Sequence, residues 1–272
     1  MVENGIGRRN ILFMNMLNEN TVWKDANKAK EYAKNTEKNR NKKAYNTPKI
    51  LLAAMQYTHN YIQGIKRQNA FDASNILMCD INWIRHGTRV EFIDDEGNKP
   101  EVKIGTIYYI DYGNNFYGEL SYFHHGLCIG KSNGKILVVP MRSGADIIDI
   151  SYHPNKNPDG QKYYRKALQS EGFMKDCVLL INNTRYISPG RIDKEIGAVS
   201  EDVLEEIKLQ VFQVQFPDLF QKYTDTQQSV INYEEELNIK KQKLFELHKK
   251  HNWLYQKYNK LKEQTIDKNI KK

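Results

Sequence analysis

Two adjacent imidazoles, His124 and His125, stand immediately before the apolar run GLCIG, while Arg142 and Ser143 follow the run VVPM directly. Imidazole moves protons near neutral pH, a guanidinium holds phosphate charge with planar donors, and a hydroxyl hydrogen-bonds an oxygen. Together these four residues describe a proton-transfer and anion-stabilising site at neighbouring strand ends. Arg185, Tyr186 and Arg191 extend it as positive and stacking surface, and Glu119 is a further acid, base or base-reading group. Each also has an ordinary use: YISPGR reads equally as a solvent-exposed turn, and a loop-facing Arg-Ser pair can be structural. The other histidines, His59, His86, His153, His248 and His251, read as polar surface or partial packing. The sequence has no P-loop, dinucleotide fingerprint, HExxH or metal-ligand cluster, so no metal or cofactor is expected.

The elements that must position these residues are short strands. KIGTIYYIDYG is a strand ending in a turn at Gly113, HGLCIG a second and ILVVPM a third, with SNGK turning between the latter two. DCVLLINNTRYI supplies another buried strand, SPGRID a break, and SEDVLEEIKLQVFQVQF an amphipathic helix with Glu201 and Asp202 in its first turn. The centre therefore reads as α+β or a partly closed barrel. Ahead of it, residues 18–46 form a polar stretch suggesting a solvated helix. After Pro48 a helix carries a stripe through Leu51, Met55, Ile62 and Ile65 and a Tyr57–Tyr61 pair, and should pack. DASN at 72–75 then separates it from ILMCDINWI and TRVEFI, which look like strand or connector.

Behind the centre, steps of four and three from Tyr233 pass through Leu237, Lys240, Leu244, Leu247, His251, Leu254, Tyr258, Leu261 and Thr265, a 3.5-residue repeat expected to pack against a second helix. Three regions follow: a polar and helical extension over 1–75, the central domain with its leading connector over 76–224, and a long helix over 225–272. The net charge is +8, from 41 basic and 33 acidic residues, and it sits in the arms: +6 over residues 1–60 and +4 over 225–272, against −2 between them. Such arms attract nucleic acid or an acidic partner. With 40% apolar and 27% charged residues, the chain is neither a disordered polymer nor a membrane protein, since no run of about 18 apolar residues exists. The opening MVENGIGRRNILFMNML lacks a signal-peptide pattern, and the expected location is cytoplasmic. Cys79, Cys128 and Cys177 are expected as core thiols, not a disulfide scaffold.

In this order, 105-GTIYYIDYG-113, 123-FHHGLCIG-130, 136-ILVVPMRS-143, 178-VLLINNTRYISPGRI-192 and the helix opening 200-SEDVLEEI-207 resemble a divergent member of the PemK/MazF toxin family, over residues 103–216. The resemblance implies a small, strongly curved β-barrel with added N-terminal and C-terminal helices, homodimerisation, and metal-independent cleavage of single-stranded RNA. It also implies neutralisation by an antitoxin. The family places a functional Arg where this chain has His125, and a functional Thr two residues after the strand's Pro, where Arg142 stands, followed by Ser143. Arg185 and Arg191 match the family's closing arginine segment; Glu119 matches only loosely.

On that resemblance the 2′-hydroxyl attacks the adjacent phosphorus, giving a 2′,3′-cyclic phosphate and a 5′-hydroxyl. His125 is base or acid, Arg142 the electrostatic clamp and Ser143 the orienter, with Glu119, His124, Arg185, Tyr186 and Arg191 contacting RNA. Two other readings stay open: a catalytically inactive RNA-binding protein, and an inhibitor of a protein target.

Overall fold

The computed structural model describes residues 29–30, 32–116 and 118–270, with side chains through residue 262. The readings made for residues 1–28, including the N-terminal opening and the start of the polar stretch, lie outside the described residues, as does the side chain of Thr265. The chain divides into two compact units, Met1–Lys208 and Leu209–Lys272. The elements run α1 (Glu37–Asn41), α2 (Pro48–Ile65), α3 (Ala70–His86), β1 (Thr106–Asp111), β2 (Phe123–Ser132), β3 (Lys135–Arg142), α4 (Ala145–Ile148), β4 (Ser151–Tyr152), β5 (Gln161–Ala167), β6 (Cys177–Leu180), β7 (Arg185–Ile187), β8 (Ile192–Ala198), α5 (Glu201–Gln215) and α6 (Pro217–Ile270).

In the first unit, α2 starts at Pro48, whose fixed φ suits a first helical position. Tyr57 and Tyr61 pair as expected, with ring centroids 5.9 Å apart. The apolar stripe, by contrast, stays open: Leu51, Met55 and Ile62 are 44%, 71% and 47% exposed. What fastens α2 is polar, the Tyr61 hydroxyl donating to Asp80 Oδ2 at 2.5 Å. The DASN segment does not break the chain. Asn69 caps α3 by accepting from the Asp72 amide at 2.9 Å, Asp72 sits in the first turn, and the run expected as strand continues as helix to His86. An apolar run of that length fits either element, and the cap decides it.

The eight strands form one sheet ordered β4-β5-β6-β3-β2-β1-β8, with β7 also on β3. β2 and β3 are a hairpin turning at Asn133 and Gly134, both at positive φ, as the SNGK reading expects of a tight hairpin. β3 is the hub. Its first half, Ile136–Val138, pairs with β7 and its last two residues, Met141 and Arg142, pair with β6. The expected strongly curved barrel is not what forms. The sheet is open, neither closed nor strongly curled, with β4 and β8 as its two ends. Closure needs end ladders long enough to carry a continuous stagger. Here β4 has two residues and a register shift against β5, and the β1–β8 ladder shifts twice.

Alternation along β1 sends Tyr108 and Ile110 to one face and Ile107, Tyr109 and Asp111 to the other. The first face holds a core with Phe92, Val102, Tyr112, Cys128, Ile136 and Val138. Gly126 is needed there, since a Cβ would strike the Tyr112 hydroxyl and Ile110 Cδ1. All three cysteines are buried and free, as expected of core thiols. A polar knot lies elsewhere in this unit: Arg165, fully buried on β5, meets Glu171 at 2.7 Å and Glu206 of α5 at 2.8 Å. His153 Nε2 lies 3.4 Å from the same Glu171 oxygen.

In the second unit, Phe212 packs edge-on against Phe220 and Tyr223, with centroids 5.6 and 5.9 Å away. α6 then runs 54 residues. Its repeat residues Leu237, Leu244, Leu247, Leu254, Tyr258 and Leu261 are all more than half exposed. The expected packing of this seam against another helix is therefore not seen among the described residues.

Candidate functional site

The β2–β3 hairpin brings the chemistry-bearing residues to one end of the sheet. The β2–β3 ladder runs up to Gly126 paired with Pro140, and just beyond that pair His124 and Arg142 come to one cavity. His124, His125, Arg142 and Ser143 line one cavity of about 370 Å³, together with Lys175 and Met174 from the turn before β6. β6 holds the far side by pairing Val178 with Arg142. Arg142 is the clamp-like member: its carboxylate neighbour, Asp146 Oδ2, stands 4.0 Å away, beyond hydrogen-bonding distance, and the side chain is 37% exposed. Ser143 is exposed at the rim.

Both imidazoles are biased toward the neutral form. Burial lowers the His125 pKa from its ordinary value, and the ammonium groups of Lys175 and Lys194 lower it further. His124 is lowered chiefly by burial, against an opposing hydrogen bond to the Ser121 backbone, with Arg142 and His125 adding to the fall. A neutral imidazole can take a proton, and an uncommitted guanidinium beside it can take up negative charge on phosphate oxygens.

Next to this cavity the face of β1 that carries Ile107, Tyr109 and Asp111 holds a ridge of rings, half-buried at Tyr109. Tyr109 lies opposite His125 in register, with ring centroids 5.3 Å apart, and Phe123 lies 5.5 Å from Tyr109. Lys194 of β8 holds its Nζ 5.7 Å from the Tyr109 centroid. Tyr109, Phe123, Lys175 and Lys194 were not singled out in the sequence. The alternation of GTIYYIDYG and its pairing with FHHG carry the signal, because Tyr109, Phe123 and His125 must share a face.

The remaining expected site residues lie outside this cavity. Arg185 Nη2 donates to Leu120 O at 2.8 Å, and its guanidinium sits 5.0 Å over the Tyr112 ring. It therefore fastens the loop after β1. Glu119 is exposed in that loop, where its charge acts on Arg185. Tyr186 is 52% exposed on β7, opposite Leu137.

Arg191 donates from Nη1 to Asp111 O at 3.0 Å and lines a second cavity of about 410 Å³ at the other end of β1. Trp83, His86 and Arg89 line it too. Its carboxylates are already engaged: Asp111 accepts from Asn82 Nδ2 at 2.6 Å and the Gly113 amide at 2.8 Å, Asp80 from Tyr61 and from Asn114 Nδ2 at 2.9 Å. Gly113, at φ +79°, leaves the space that Arg191 Nη1 occupies. Among the described residues no group of three or more His, Cys, Asp or Glu is placed to hold a metal ion. Among them, too, no helix is long and apolar enough to cross a membrane.

No family model matches the chain, and no curated protein matches it. Among solved structures, the Mycobacterium tuberculosis toxin MazF-mt6 is similar at 13% identity and a TM-score of 0.29, over 41% of this chain and 96% of that one. This is a weak and distant structural likeness to a MazF toxin, and the chemistry rests on the cavity's own residues.

Proposed function

We propose that the protein is an endoribonuclease of the toxin type that cuts single-stranded RNA through its own side chains. The observation that carries this reading is the convergence of two neutral-biased imidazoles, a weakly engaged Arg142 and a Ser143 hydroxyl on one cavity. His125 takes the proton of a ribose 2′-hydroxyl as its oxygen attacks the adjacent phosphorus. The bond from phosphorus to the 5′-oxygen breaks, that oxygen takes a proton from water, and His125 returns its own to solvent. The products are a 2′,3′-cyclic phosphate and a 5′-hydroxyl. Arg142 and Lys175 offset the extra charge on phosphate, and Ser143 orients an oxygen. The lowered His125 pKa favours the base role over the acid role. RNA is selected over DNA because the nucleophile is the 2′-hydroxyl.

In this reading an antitoxin is the natural regulator and two copies assemble, with the exposed α6 seam joining a second copy as a coiled coil. Replacement of the family's Thr by Arg142 favours a second reading, an RNA-binding protein that has lost turnover. The test is incubation of a mixed single-stranded RNA library with the full chain in EDTA, followed by fragment sequencing and chemical identification of both new ends. Cyclic-phosphate and 5′-hydroxyl ends that fall about 10²- to 10⁴-fold in His125→Ala support the nuclease. Bound but intact RNA supports the second reading.

A further inference from the structure

Of the residues that sequence reasoning gathered into one RNA site, His124, His125, Arg142 and Ser143 line one cavity and Arg191 a second, at opposite ends of β1 on the same face of the sheet. Ile107 lines the His125 cavity, Asp111 lines the Arg191 cavity, and Tyr109 stands between them on that face. Register places Phe123 opposite Asp111 and His125 opposite Tyr109, so the three rings form a continuous ridge between the cavities. Lys194 flanks the ridge, and its charge and that of Lys175 both reach His125.

We propose that a single strand of RNA leaves the His125 cavity across the Tyr109–Phe123 ridge and seats a further nucleotide in the cavity lined by Trp83, His86, Arg89 and Arg191. This rests on the nuclease reading and gives it a direction and a second subsite. Stacked aromatic rings beside ammonium groups are how proteins hold unpaired bases without reading their edges. The second cavity's volume is in the range of small-molecule sites, about 300 to 1,000 Å³. Its two carboxylates keep their charge but have oxygens occupied by internal donors, and the two guanidinium groups lining the same cavity, of Arg89 and Arg191, match them in number. Arg89, Arg191 and His86 can meet phosphate or sugar oxygens, and the Trp83 indole, 71% exposed, offers a stacking plane.

The experiment measures anisotropy of a labelled random-sequence 2′-O-methyl RNA 12-mer, which lacks the free 2′-hydroxyl, on the full chain and on Tyr109→Leu, Trp83→Ala and Lys194→Gln. Circular dichroism checks that each variant is folded. Trp83 and Lys194 are exposed, so their variants keep the test informative should Tyr109→Leu fail to fold. Tyr109→Leu and Trp83→Ala should each weaken binding about 5- to 100-fold. Lys194→Gln should reduce the slope of log affinity against log salt by about 0.7. Binding of folded variants within twofold of the unaltered chain, with that chain cutting RNA normally, overturns the track and leaves the nuclease reading intact. Binding that weakens as expected in a chain that cuts nothing supports the track and sinks the nuclease reading. A chain that neither binds nor cuts RNA overturns both.

Discussion

Replacing Arg165 by Met tests what holds the sheet's β4–β5–β6 limb to α5. The guanidinium is fully buried and donates to Glu171, Glu206 and the Lys166 carbonyl. Glu206 is 40% exposed at its side chain and can rehydrate, whereas Glu171 is only 14% exposed and keeps, besides the Leu168 amide, only the His153 ring 3.4 Å from one oxygen. The Leu168 amide, 2.9 Å away, continues to donate to it. Removing one partner of a buried pair costs about 3 to 5 kcal/mol, and one rehydrating partner plus one retained amide put this case near 3 kcal/mol. For a unit of this size that is roughly a 6 to 12 °C fall in Tm at pH 7.

The pH dependence is the sharper part. Burial raises the Glu171 pKa, but hydrogen bonds from Arg165 and Leu168 and the Arg165 charge outweigh it and hold the pKa below the ordinary value. The stability Glu171 contributes is therefore present above the ordinary carboxylate pKa and is lost as pH falls through its lowered folded value. Without Arg165 burial dominates, and the carboxyl accepts a proton earlier on acidification. The gap in Tm between Arg165→Met and the unaltered chain should therefore shrink from pH 7 to pH 4, and adding Glu171→Gln should recover part of it at pH 7. A differential-scanning measurement at both pH values decides. An equal gap at pH 4 and pH 7, or no gap, refutes the assignment of the cost to an abandoned carboxylate.

Because the His125 pKa is lowered by burial, Lys175 and Lys194, the acid limb of kcat/KM for RNA cleavage should lie below about pH 6.5, with activity falling as the base is protonated. A limb at or above that value in a pH–rate series rejects His125 as the base. Gly126→Ala should cost about 1 to 3 kcal/mol in denaturant melts, since the added Cβ strikes Tyr112 and Ile110; a neutral result would show that this core yields at no cost. Removing residues 233–265 should lower the sedimentation mass by deleting the exposed seam of α6, and an unchanged mass refutes assembly through it.

Much of the central strand order was legible because its turns are chemical. Asn133-Gly134 dictates a hairpin, and the hairpin brings the ends of its two strands, with His124 and Arg142, to one cavity, so the first cavity follows from local sequence. What failed depended on distance. Barrel closure is a property of two ends that never meet in sequence: the short strands read as a partly closed barrel and the resemblance implies a strongly curved one, and neither carries the pairing of those ends. Arg185 and Arg191 look alike at the two ends of RYISPGR, yet one is taken up by Leu120 O and the Tyr112 ring and the other by Asp111 O, the two carbonyls 65 and 80 residues away. ILMCDINWI has the composition of a strand, and Asn69 capping Asp72 outweighs it. The stripe on α2 marked an apolar face but carried no information about what covers it.

The fork in β3 bears on how the molecule comes apart. One half of the strand is laced to β7 and the other to β6, so the β4–β5–β6 limb can detach by breaking the Met141 and Arg142 pairing while the β1–β2–β3 meander stays zipped. Such partial opening lies lower in free energy than global unfolding and appears in native-state hydrogen exchange as a distinct cooperative unit. The turn carrying Lys175 belongs to that limb, whereas His125 and Arg142 belong to the meander. The cleft therefore draws its walls from both parts, and amides of β6 should exchange with solvent sooner than those at the centre of β2.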